Sequence, residues 1–94
     1  MTYLVTYSLR NKNKDYSAFY DAINSCGEVL QILDAAWVIS TQEMNATAIT
    51  DVLHANMDPV DSLIVIKMDQ CERNGWLPKS HWTWIGGHVE GPCR

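Results

Sequence analysis

With 94 residues, 47% of them hydrophobic and 19% charged, the chain has the composition of one globular domain and not of a disordered segment. Its formal net charge of -4 and pI of about 5.1 argue against wholesale electrostatic capture of nucleic acid, which needs a basic surface to displace counterions. No signal-peptide pattern follows Met1 and no apolar run approaches the roughly 20 residues of a membrane span, so a cytoplasmic protein without membrane contact is expected.

The chain opens on Thr2-Tyr3-Leu4-Val5-Thr6-Tyr7-Ser8, a β-branched and aromatic run too short for an independent helix, which reads as a central strand. The polar loop Arg10-Asn11-Lys12-Asn13-Lys14 follows it. From Asp15 to Cys26, Tyr16, Phe19, Tyr20 and Ile23 fall at i, i+3, i+4 and i+7, the stripe of an amphipathic helix, and Gly27 stands where a helix stop is wanted. Glu28–Leu33 and Ala36–Thr41 then read as two strands joined by a tight turn at Asp34, a hairpin. Asn45 can cap a second helix carrying Ala46, Ile49, Val52 and Leu53, which Pro59 closes. Ser62–Met68 is a near-continuous apolar run, expected to be a fourth strand buried on both faces.

The order β-α-β-β-α-β is the split βαβ arrangement of α+β, ferredoxin-like domains: a four-stranded antiparallel sheet with two helices on one face. Such a sheet leaves its other face open, and on a chain of this size a second copy is the simplest cover, so a homodimer is expected. The domain is drawn over residues 1–85. Trp76, Trp82 and Trp84 concentrate near its end and are assigned to the core seal or the dimer interface, while the Gly-rich residues 86–94 are expected to be a mobile tail.

Across roughly residues 3 to 85 the chain resembles the small SinR-like and VapD-like proteins related to the CRISPR-associated adaptor nuclease Cas-two. The matching stretches are Tyr3–Leu9, Asp15-Tyr16 with Tyr20–Ile23, Leu33-Asp34 with Trp37–Thr41, Asp61–Ile66, and Gly75-Trp76-Leu77 with Trp82-Thr83-Trp84. The resemblance implies a ferredoxin-like fold, a homodimer and, in the nuclease members, a magnesium-dependent phosphodiesterase site using an aspartate after the first strand. Here that Tyr-Asp-Leu ending is Tyr7-Ser8-Leu9, so the metal-holding carboxylate is absent. A hydroxyl is a poor sole ligand for magnesium, which prefers anionic oxygen.

Ser8 is accordingly the candidate catalytic position, as nucleophile or phosphate contact, set against the plainer role of a strand-end hydroxyl. Arg10, Lys12 and Lys14 are candidate phosphate contacts, or a solvated loop. Trp76, Trp82 and Trp84 could stack bases instead of sealing an interface. His81, His88, Cys71 and Cys93 match no zinc-module spacing, and the three cysteines (Cys26, Cys71, Cys93) read as thiols, so no metal site and no cofactor is assigned. Three functions follow. The first is a homodimeric Cas-two-like interaction or adaptor protein without an intact catalytic site, in a mobile-element, defence or counter-defence setting, with a protein or nucleic-acid partner. The second is a magnesium-dependent endonuclease using Asp34, Asp61 or Asp69, and the third a non-cleaving single-stranded nucleic-acid binder.

Overall fold

The computed structural model describes residues 1–68 and 72–89. Strand β1 (Thr2–Ser8) leads to helix α1 (Ser17–Ser25), the hairpin β2 (Glu28–Leu33) and β3 (Ala36–Ser40), helix α2 (Ala46–His54), strand β4 (Ser62–Lys67) and helix α3 (Lys79–His88). The four strands form one antiparallel sheet in the order β2-β3-β1-β4, the arrangement of a ferredoxin-like α+β domain. β1 is central, between β3 and β4.

Alternation along β1 divides the molecule into two layers. Tyr3, Val5 and Tyr7 point to the face covered by α1 and α2, where they join Phe19, Ala22, Ile23, Cys26, Ile39, Ile49 and Leu53 in the main core. Helix α1 starts two residues later than its apolar pattern suggests, because the Asp15 carboxylate accepts from the Ser17 N–H (2.9 Å) and so occupies the turn before the helix. It ends where Gly27 adopts φ 156°, and a Cβ there would collide with the Ser40 carbonyl oxygen, so the close approach of the α1 exit to β3 requires glycine. Asn45 Oδ1 accepts from the Ala48 N–H (2.8 Å) and caps α2. A cap of this kind contributes about 1 kcal/mol.

Leu4 and Val38 point to the opposite face, and two sequence expectations meet corrections there. The first concerns β4, expected to be buried on both sides. It is an edge strand in which Leu63 and Val65 reach the core, while Ile64 and Ile66 remain 51% and 50% exposed. Its apolar run records one half-buried row and one uncovered row. The second concerns the chain end. Residues 79–88 are a third helix, so the boundary drawn after Ile85 falls inside α3, and Val89 beyond it is buried; residues 90–94 lie outside the described ones. Ile85 and Val89, flanked by Trp82 and Trp84, pack on Val38, Leu4, Ile32 and Met68, so the chain covers part of its own second face. Among the described residues no helix is long and apolar enough to cross a membrane.

Candidate functional site

Because β1 and β4 run antiparallel with Ser8 opposite Ser62, the loop after β1 meets the turn before β4. Asp61 ties the two together. Its Oδ1 accepts from the Arg10 N–H (2.7 Å), and its Oδ2 accepts from the Tyr16 hydroxyl (2.7 Å) and the Asp58 N–H (2.9 Å). Asp58 is also engaged: Oδ2 accepts from the Asn11 side-chain amide (2.8 Å) and Oδ1 from the Val60 N–H (3.1 Å). Partial desolvation opposes ionisation of Asp61, but the hydrogen bonds from Arg10, Tyr16 and Asp58, helped by the Lys14 charge, outweigh it and hold its carboxyl below the usual carboxylate range. The Tyr16 phenol is shifted the other way, by desolvation and by its bond to Asp61.

Ser8 is exposed at the rim of this loop, in a shallow depression formed with Thr6, Tyr7, Ser62, Leu63 and Ile64. Among the described residues, no histidine and no carboxylate lines that depression. Beneath it, Tyr7 is buried against Phe19 (ring centroids 4.9 Å apart) and accepts from the Trp37 indole N–H (3.0 Å). Burial pushes the Tyr7 phenol up to about 12, which removes it as a base at neutral pH.

Of the basic loop, Arg10 spends its backbone N–H on Asp61, and the Lys14 ammonium lies 5.7 Å from the centre of the Tyr16 ring. Lys12 is exposed. Asp58 and Asp61, which accept hydrogen bonds from the same loop, set two carboxylates beside its three cations. The tryptophans separate. Trp76 is 98% exposed, whereas Trp82 and Trp84 are half-buried in the α3 contact with the sheet.

A second polar cluster sits at the other end of the sheet. His88 Nε2 lies 2.6 Å from Glu28 Oε2 and its Nδ1 lies 2.7 Å from the Trp84 carbonyl oxygen, while its ring stacks on Trp84 with centroids 3.8 Å apart. The Thr2 hydroxyl donates to the His88 carbonyl oxygen. These contacts clamp the last turn of α3 onto β1 and β2. They border a polar groove of about 610 Å³ that also includes Ser25, Cys26, Thr41 and Glu43. The Cys26 thiol is buried, donates to the Ala22 carbonyl (3.2 Å) and is raised by burial, so it is an inert core thiol.

The candidate metal residues do not converge. His81 and His88 stand two turns apart on α3, Cys71, Cys93 and Asp69 lie outside the described residues, and among the described residues no three His, Cys, Asp or Glu side chains are placed to hold an ion. Asp34 occupies the β2–β3 turn, whose Ala35 carbonyl accepts from the Tyr7 N–H (3.2 Å) near the end of β1. The apolar stripe of α1 accounts for the Tyr16 ring, but no sequence pattern points to its hydroxyl bond with Asp61. The same holds for the His88 clamp. No protein-family model and no curated protein sequence matches the chain.

Proposed function

We propose that this chain is a non-catalytic interaction protein that acts as a homodimer, an adaptor of the Cas-two-like kind serving a mobile-element, defence or counter-defence system. The observation that carries the reading is the state of Asp61. Where a phosphodiesterase would hold magnesium, the strand ends in the Ser8 hydroxyl, and the two carboxylates bordering that end, Asp58 and Asp61, accept hydrogen bonds on all four of their oxygens. Magnesium binds through hard anionic oxygens and retained waters, and taking it up here would dismantle the loop that shapes the site. The uncovered apolar row of β4 supports the second half of the reading, since exposed isoleucines on a sheet surface favour a protein partner over an aqueous active site.

Calorimetric magnesium titration beside cleavage assays on RNA and duplex DNA tests this. The expected result is no saturable magnesium binding and no cleavage. Cleavage that a chelator abolishes and that Asp61→Ala removes would overturn the reading in favour of a metal-dependent nuclease. Tight, steeply salt-dependent binding of single strands without cleavage would overturn it in favour of a nucleic-acid binder acting through Arg10, Lys12 and Lys14.

A further inference from the structure

The two edges of the sheet are built differently. At the β2 edge the pairing with β3 shifts register between Gln31 and Leu33, and the strand carries Glu28 and Gln31. A bulge and polar side chains are the usual protection of an edge against pairing with another chain. At the β4 edge the register with β1 runs unbroken from Tyr3↔Lys67 to Ser8↔Ser62, and Ser62-Leu63-Ile64-Val65-Ile66-Lys67 contains no proline and no charge before Lys67. One edge is blocked and the other is left fit to pair.

The hydrogen bonds of β4 fix how it would pair. The Met68 N–H donates to the Thr2 carbonyl (2.7 Å), and in an antiparallel ladder bonded and non-bonded pairs alternate, so Ile66, Ile64 and Ser62 turn their backbone groups toward β1. The N–H and C=O groups of Leu63, Val65 and Lys67 therefore face outward. A second copy laid antiparallel about a two-fold axis at Val65 sets Val65 against itself and Leu63 against Lys67 of the second copy. All the outward groups are then bonded. An axis at Ile64 or Ile66 leaves one of these residues without a partner inside the strand, and a one-residue slip turns the outward groups away from each other. The Val65 register also sets Ile64 against Ile66 of the second copy, and the reverse, joining the exposed isoleucines into one patch.

We infer that β4 is an isologous homodimer edge, centred on Val65, that continues the sheet into a second copy of this chain. This rests on the dimeric reading above and specifies its surface. A strand of this length gives a contact about 20 Å long, and with a layer depth of about 20 Å it covers on the order of 400 Å² per copy. That is about half the roughly 800 Å² per partner of a standard stable interface, so the dimer is a weak, reversible one.

Sedimentation equilibrium between about 5 µM and about 500 µM tests it, a range in which weak, reversible association is read. The unmodified protein should pass from monomer to dimer across this range. Ile64→Lys/Ile66→Lys places like charges opposite each other and should weaken association at least about tenfold, whereas Ile64→Lys/Ile66→Glu places Lys opposite Glu and should restore it. Both variants alter exposed positions, and circular dichroism confirms that each is folded. A monomer throughout the range would overturn both this inference and the dimeric reading. A dimer that neither variant disturbs would overturn the β4 register while leaving the dimeric reading in place.

Discussion

The two faces of this sheet are covered by different means, and the difference explains both the stability of the domain and where it is open to partners. On the α1/α2 face, Phe19, Ile23, Ile49 and Leu53 from the helices meet Val5 and Ile39 from the strands, all of them without exposed surface. On the other face, among the described residues, the short helix α3 covers Val38 and Leu4, while Ile64 and Ile66 of β4 stay exposed. Burial of apolar area is the main favourable term in folding, so the first face carries the stability and the second supplies surface. Phe19→Ala breaks this contrast most severely. Phe19 touches Tyr7, Tyr16 and Tyr20 edge-on at 4.9, 6.4 and 5.5 Å, and its removal should cost about 3–5 kcal/mol, enough to unfold a marginal domain, as urea denaturation followed by circular dichroism would show.

Ile85→Ala makes the same deletion on the thinner layer. Ile85 is as buried as the main-core residues, but it belongs to a helix held on one side, which can settle onto the sheet after the loss. The expected cost is about 2 kcal/mol, at the low end for a buried isoleucine. A loss equal to that of Phe19→Ala would mean that α3 is an integral part of the core.

The first face was legible in the sequence because its signals are local. Tyr16, Phe19, Tyr20 and Ile23 show helical period within eight residues, and Asn45 announces α2 by a cap three residues from its donor. The second face was not. Trp82, Ile85 and Val89 do fall at i, i+3 and i+7, but Gly86 and Gly87 inside that span are poor helix formers and suggest a tail. Tertiary contact with Val38 and Leu4 overrides that preference. Likewise the apolar run of β4 reads equally as a buried central strand or a half-covered edge, since periodicity cannot report strand order. At the candidate site, Ser8 was placed correctly at the end of β1. The bond that defines its surroundings, Tyr16 to Asp61, spans 45 positions and carries no local pattern.

The loops at the Ser8 end add a pH dependence whose sign follows from the Asp61 and Tyr7 shifts. Asp61 has a folded pKa below the 3.8 of the free group, so its contribution is present above that pH and is lost as pH falls through the depressed value. Asp61→Asn should therefore flatten the acid limb of the stability profile below about pH 4, with a smaller effect at neutral pH than either core deletion. Tyr7 behaves oppositely. Its folded pKa of about 12 exceeds the free value of 10.0, so its contribution is full below pH 10 and disappears between pH 10 and 12. Thermal melts across both ranges would check the two signs, and a profile unchanged by Asp61→Asn would contradict the account of the loop tie.

The smallest effect belongs to the clamp that holds α3. Both ring nitrogens of His88 face acceptors, Glu28 Oε2 at 2.6 Å and the Trp84 carbonyl at 2.7 Å. A neutral imidazole carries one N–H and can satisfy only one of them, whereas the doubly protonated ring donates to both. In Glu28→Gln the amide can itself donate to an unprotonated Nε2 while Nδ1–H continues to donate to Trp84, so the substitution keeps a contact and removes mainly the charge. Glu28 is largely in solvent, with a side chain 74% exposed, and an ion pair in that setting contributes about 0.2–1 kcal/mol. Glu28→Gln should therefore shift the urea midpoint slightly at low salt and not at all at about 1 M salt, where the screening length falls to about 3 Å. A double-mutant cycle with His88→Ala isolates the pair from the Trp84 stack. A coupling above about 2 kcal/mol that persists in high salt would show that the clamp, and not the Ile85 contact, fixes α3 on the sheet.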